Sequence, residues 1–148
     1  MVRRVHKLLV AVMTIAAMVF VASSVAAEET VTVEVRAIAA GDDEKQVDDE
    51  LADIENRLQR GFSDYSSFRH IEQSEQTIER GDDATFELPT DEDRLTLSYH
   101  GRTDEFVKLG LDLENRLTTT LRATPGSTFF QAGLTYNDST LVLAITVE

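Results

Sequence analysis

The chain has 148 residues, with 27 Asp and Glu against 14 Lys and Arg, and no cysteine. The acidic excess argues against nucleic acid and anionic lipid as partners, since phosphate-rich surfaces are held by basic patches. Without cysteine there is neither a disulfide nor a lipid-modified thiol.

The first segment, "MVRRVHKLLVAVMTIAAMVFVASSVAA", reads as a secretory signal. Arg3, Arg4 and Lys7 precede an apolar run from Leu8 to Ala22, and small residues follow. Cleavage is expected after Ala27, with Val25 and Ala27 three residues and one residue before the cut. The rival reading is a retained anchor, because Leu8 to Ala27 just reaches the ~20 residues that span a bilayer; Ser23 and Ser24 interrupt its apolar end. Residues 1–27 are thus read as a signal peptide, with no stable membrane insertion after processing, and 28–148 as a single α+β domain, periplasmic or secreted and bacterial in type. That domain keeps 11 Lys and Arg against all 27 acids, a formal charge of −16. Two uses of the acidity compete: solubility in a salty milieu, where screening removes self-repulsion, and attraction of cations or basic partners. Nine Arg but only two Lys (Lys45, Lys108) and many Thr favour the first.

"TVTVEVRAI" alternates, with Val31, Val33, Val35 and Ala37 on one face and Thr30, Thr32, Glu34 and Arg36 on a wet one, and so predicts a strand. "GDD" at Gly41–Asp43 breaks it. Asp43 and Gln46 have the spacing of a capping box, and Val47, Leu51, Ile54 and Leu58 then form one helical stripe. Gly61 is expected to close the helix in the left-handed conformation. Glu44, Asp48, Asp49, Glu50 and Asp53 fall in its first turns and Arg57 and Arg60 near its end, as the helix dipole prefers, with Asp53 pairing forward to Arg57. The acidic cluster therefore needs no chemistry to explain it.

The period then falls to two. "DYSSFRHIEQSEQTIER", with Tyr65, Phe68, Ile71 and Ile78, predicts one long or bent polar strand at a sheet edge or over a shallow core. Ala84, Phe86 and Leu88 alternate, as do Leu95, Leu97 and Tyr99 after the turn "PTDED". Val107, Leu109, Leu111 and Leu113 follow, then Leu117, Thr119 and Leu121 after a connection at Glu114, Asn115 and Arg116. "TPGS" turns into Phe129–Leu134, and "YNDS" into Leu141, Leu143, Ile145 and Val147. The expectation is an α+β fold, mainly an antiparallel β sandwich or open barrel, with one amphipathic helix between the first and second strands.

Candidate chemistry is sparse. Ser66 or Ser67 with His70 and a nearby acid could suggest a nucleophilic triad, but residues two apart on a strand stand about 7 Å apart, and no GxSxG elbow occurs. His70 and His100 lack the spacing of a zinc pair. "GDDEK", "GDDAT" and "TDEDR" lack the EF-hand pattern, although Asp91 and Asp93 are two apart; Asp and Gly there also serve turns. A glycosidase carboxylate pair would be set by tertiary distance, with little room for a cleft. "NDS" at Asn137 reads as a turn. No catalytic, cofactor-binding or metal-binding residue is assigned, and no cofactor is implied.

The order "DDELADIENRL", "YSSFRHIEQ", "FELP", "LTLSY", "VKLGLDL" and "NRLTTTLRATPGSTFFQAGLTYNDSTLVLAITV" resembles a family of small exported bacterial proteins of unassigned function. Its members carry an Asp-rich helix, a YSSY-like strand, an LPxG-type turn and a glycine-rich penultimate strand. Here "LPTDEDR" lacks the LPxG glycine, and Phe130, Gln131 and Ala132 occupy the glycine-rich stretch. "PGSTFFQAGL" also resembles the final strand pair of secretin pore domains. The reading is an exported, non-enzymatic binding or envelope-accessory protein that meets another envelope or secreted protein through the edge strand Ser66 to Glu79. An acidic ion- or small-ligand-binding module and a small secreted hydrolase are the alternatives.

Overall fold

A computed structural model describes residues 29–90, 93–114 and 116–148. The expected signal or anchor segment, Asp91 and Asn115 lie outside the described residues. Among those described, no helix is long and apolar enough to cross a membrane.

The described residues are mostly antiparallel β, arranged in two sheets with one short helix. Nine strands follow in order: β1 (Thr30–Gly41), β2 (Gln46–Val47), β3 (Ser67–Glu79), β4 (Asp83–Glu87), β5 (Arg94–Arg102), β6 (Val107–Leu113), β7 (Leu117–Ala123), β8 (Ser127–Tyr136) and β9 (Ser139–Val147). The helix α1 spans Glu55–Gly61. The first sheet has the order β2-β3-β1-β9-β8 and the second β4-β5-β6-β7. All pairings are antiparallel except the short β2–β3 match of Gln46 with Ser67 and Val47 with Phe68.

Alternation in the sequence places the main core between the sheets. Val31, Val33, Val35 and Ala37 of β1 and Leu141, Leu143, Ile145 and Val147 of β9 face Leu95, Leu97 and Tyr99 of β5 and Val107, Leu109, Leu111 and Leu113 of β6. Ala84, Phe86 and Leu88 join them, as their spacing predicts. β7 departs from expectation. Leu117 is exposed and Leu121 half-buried, because β7 is the outermost strand of its sheet and has a neighbour on one side only.

A second, smaller core covers the outer face of the first sheet. Ile38, Ala40, Val142 and Ala144 meet Leu51, Ile54, Leu58 and Phe68 there. The stripe Leu51, Ile54 and Leu58 is thus buried, but the single helix expected over it is not what forms. Gln46–Val47 is a strand, Asp49–Leu51 a 3-10 turn, and only Glu55–Gly61 is α-helical. The Asp48 N–H goes to the Phe68 carbonyl at 3.1 Å, so a tertiary ladder bond wins over the local helical period. The expected capping box is absent: Asp43 instead offers its carbonyl to the Ser66 hydroxyl. Gly61 is the last helical residue and does not take a positive φ.

Truncation of this stripe reports the packing. Leu51→Ala and Leu58→Ala, both fully buried, should each lower unfolding free energy by about 2–5 kcal/mol in urea melts. An unchanged midpoint for both would refute the second core.

Candidate functional site

Arg36, read from the sequence as wet, is 5% exposed. It lies on the outer face of β1, where the segment between β2 and α1 covers it. A buried guanidinium has to be paired, and Asp53 does this with both oxygens, at 2.8 Å from Nη1 and 3.1 Å from Nη2. Glu34 Oε1 stands 3.3 Å from Nε. Asp53 therefore pairs across to β1 and not forward to Arg57. The hydrogen bonds from Arg36 hold the Asp53 carboxyl below the ordinary aspartate value, outweighing its partial desolvation.

The Ser/His candidates are kept apart. Paired residues share a sheet face; His70 pairs with Ile38 and Phe68 with Ala40, which places both on the outer face. Ser67 pairs with Gly41, one step away, and so faces inward. Its hydroxyl is buried with no hydrogen-bond partner among the described residues. It lies 3.1 Å from where a Gly41 side chain would begin, with Ser139 Oγ at 3.4 Å and Asp43 Oδ2 at 3.7 Å. Gly41 thus allows three oxygens to approach the backbone closely. The His70 N–H donates to Asp48 Oδ2 at 2.8 Å, and its buried Nε2 has no partner. His100 is exposed and its Nε2 lies over Gly110. Asp93 accepts from Thr90 Oγ1 at 2.8 Å and pairs with Arg116 at 3.3 Å. Asn137 takes a positive φ in the β8–β9 turn, the backbone role its type suits. Among the described residues no group of three or more His, Cys, Asp or Glu gathers as a metal site. Two open clefts, of about 460 Å³ beside Glu29, Thr30, Glu79 and Arg80 and about 280 Å³ beside Lys45, Tyr65 and Ser66, contain no histidine.

The edges of the sheets differ in a more informative way. The first sheet ends at β8 on one side and at β3 on the other, because β2 covers only Ser67 and Phe68. Thr32 exchanges both backbone bonds with Glu148, at 3.2 and 2.9 Å, so its groups point toward β9 and away from β3. The alternation of an antiparallel ladder then carries through the register Thr32↔Thr77, Glu34↔Glu75 and Arg36↔Gln73. The N–H and C=O of Gln73, Glu75 and Thr77 point out of the sheet, with no partner among the described residues. All three side chains are exposed.

Other edge groups are occupied. Asp48 takes the His70 N–H. On β8, Arg57 donates to the Thr128 carbonyl and stacks 5.0 Å over Phe130, Gln131 Nε2 reaches the Ala132 carbonyl at 3.0 Å, and Gly133 (φ 116°) carries a bulge. On β4, the Thr85 carbonyl accepts Gln76 Nε2 at 2.8 Å. These are protections of the kind that blunt an edge strand. β7 is also an edge, 7 residues long against 13 for β3. The sequence pattern suggests the β3 edge but gives no signal for Asp48, Arg57 and Gln76, which reach their edge groups from other segments of the chain. No protein-family model, curated protein or solved structure matches the chain.

Two measurements follow from this geometry. The lowered Asp53 value means its stabilisation is complete above the unfolded aspartate value and is lost as pH falls through the folded one. Asp53→Asn should cost about 1–3 kcal/mol at pH 7, a charged hydrogen-bond loss discounted because the carboxylate is largely exposed. The gap to the parent protein should then close below about pH 4; a gap independent of pH would sink the pairing. Ser67→Ala removes a buried hydroxyl without a partner, so chemical denaturation should show unchanged stability or a gain of about 1 kcal/mol. A clear loss would mean that the hydroxyl is bonded.

Proposed function

We propose that this is an exported, non-enzymatic binding protein that takes an extended segment of another envelope or secreted protein onto the free edge of β3. The two facing sheets are read as an antiparallel sandwich, with the helix-bearing segment on one outer face. The observation that carries the reading is the row of unpaired N–H and C=O groups at Gln73, Glu75 and Thr77 on the longest edge, while groups of β3, β8 and β4 elsewhere are taken up by Asp48, Arg57, Gln131 and Gln76. Unpaired ladder groups on a strand fixed by its neighbour form a template for strand addition, where backbone bonds supply affinity. β3 is held rigid for this task by its full-length pairing with β1. The export signal at residues 1–27 and the resemblance to small exported bacterial proteins support the setting. The reading needs no catalytic group, in keeping with Ser67 and His70 on opposite sheet faces.

The test places a photoreactive amino acid at Gln73 or Thr77, and at Thr119 on β7 as a control, in cells that make and export the protein. Cross-links to one partner from the β3 positions, absent from Thr119, are expected. Cross-links from Thr119 alone, or from none of the three, would overturn the reading.

A further inference from the structure

We propose that the segment received by β3 is basic, with Lys or Arg at two positions four residues apart on one face. This rests on the strand-addition reading above and adds the chemistry of the partner. From Ile71 to Glu79, β3 carries Glu72, Glu75 and Glu79 and no Lys or Arg. Glu75 pairs directly with Glu34 across β1, an arrangement of like charges that disfavours the sheet. Glu34 is already engaged, by Arg36 Nε of its own strand at 3.3 Å and by Gln73 Nε2 of β3 at 3.0 Å. Arg36 is engaged by Asp53 and Glu34 and forms no ion pair with Glu75 among the described residues. Glu72, Glu75 and Glu79 have no ion-pair partner among the described residues.

These charges sit where an added strand delivers its side chains. Glu75 and Glu79 share the outer face, about 13 Å apart at the rise of a strand, and directly opposite side chains lie about 4.5–5.5 Å away. A basic residue facing each is therefore four residues from the other, while Glu72, on the inner face, is met from the opposite side. The ends are fixed as well: Asp48 holds the His70 N–H and the Asp82 N–H takes the Glu79 carbonyl. The same charges disfavour pairing of β3 with β3 of a second copy in the register that sets Glu75 opposite Glu75. β7 of a second copy fits less well, because Arg116 and Arg122 are six residues apart.

The test uses synthetic nine-residue Thr/Val strand peptides. One carries Lys at positions 3 and 7, a second Glu at those positions, and a third the Lys pattern with N-methylated backbone on the bonding edge. The readouts are fluorescence anisotropy and hydrogen exchange of the Gln73, Glu75 and Thr77 amides of the full domain. The Lys peptide should protect these amides and bind about tenfold tighter than the Glu peptide, the effect of two cross-strand charge pairs together. Glu75→Gln with Glu79→Gln should abolish that preference, and the N-methylated peptide should not protect. Equal binding of the Lys and Glu peptides, with protection, would refute the basic partner and leave strand addition standing. If no peptide protects the amides, strand addition itself falls and the basic partner with it. Protection that depends on protein concentration without peptide would replace the partner by a second copy of the chain.

Discussion

The pairing of Arg36 with Asp53 governs how the rest of the molecule is covered. A guanidinium on a sheet face next to Ile38 and Ala144 can leave water only if a carboxylate comes with it. Asp53 supplies that carboxylate from the segment that packs Leu51, Ile54 and Leu58 over the sheet. The ion pair fixes the lateral position of the segment, and its apolar residues supply the burial. From that one placement Asp48 comes to lie at the His70 amide and Arg57 at the Thr128 carbonyl. The same segment that anchors on Arg36 thus closes both ends of the strand system it spans and stops short of Gln73.

The strands of the two-sheet core were legible because the side chains that face it recur with a period of two. β5 and β6 are buried on one face only; β1 and β9 keep the same inward alternation, although the second core also buries the other face of their middles. The interval from Gln46 to Gly61 was legible only in part. Its apolar spacing identified the buried residues Leu51, Ile54 and Leu58, while its continuity as one helix was broken by a ladder bond to β3 that no local pattern encodes. Arg36 was misread for a related reason: alternation assigns a face, and whether that face is wet depends on what another segment lays over it.

The candidate edge shows the same division. A long polar strand between apolar ones suggested that β3 lies at a margin, and it does over most of its length. What distinguishes this margin from the others is a set of side chains that reach across the fold, Asp48, Arg57 and Gln76 among them. Each is an ordinary polar residue in the sequence. Glu75 facing Glu34 became visible only through the register of β1 with β3, which a bulge near Ile38 shifts by one residue.

The central position of β1 and β9 also bears on how the structure comes into being. Val33 lies opposite Val147, so the middle of the first sheet joins segments from opposite ends of the described chain. Such contacts must overcome the entropy of closing a very long loop, and topologies dominated by them fold slowly. Until β9 arrives, β1 has only β3 to pair with and its inner valines have no lid. The first sheet consequently stays open and its inner face exposed until β9 has been made, a kinetic property compatible with the export proposed above.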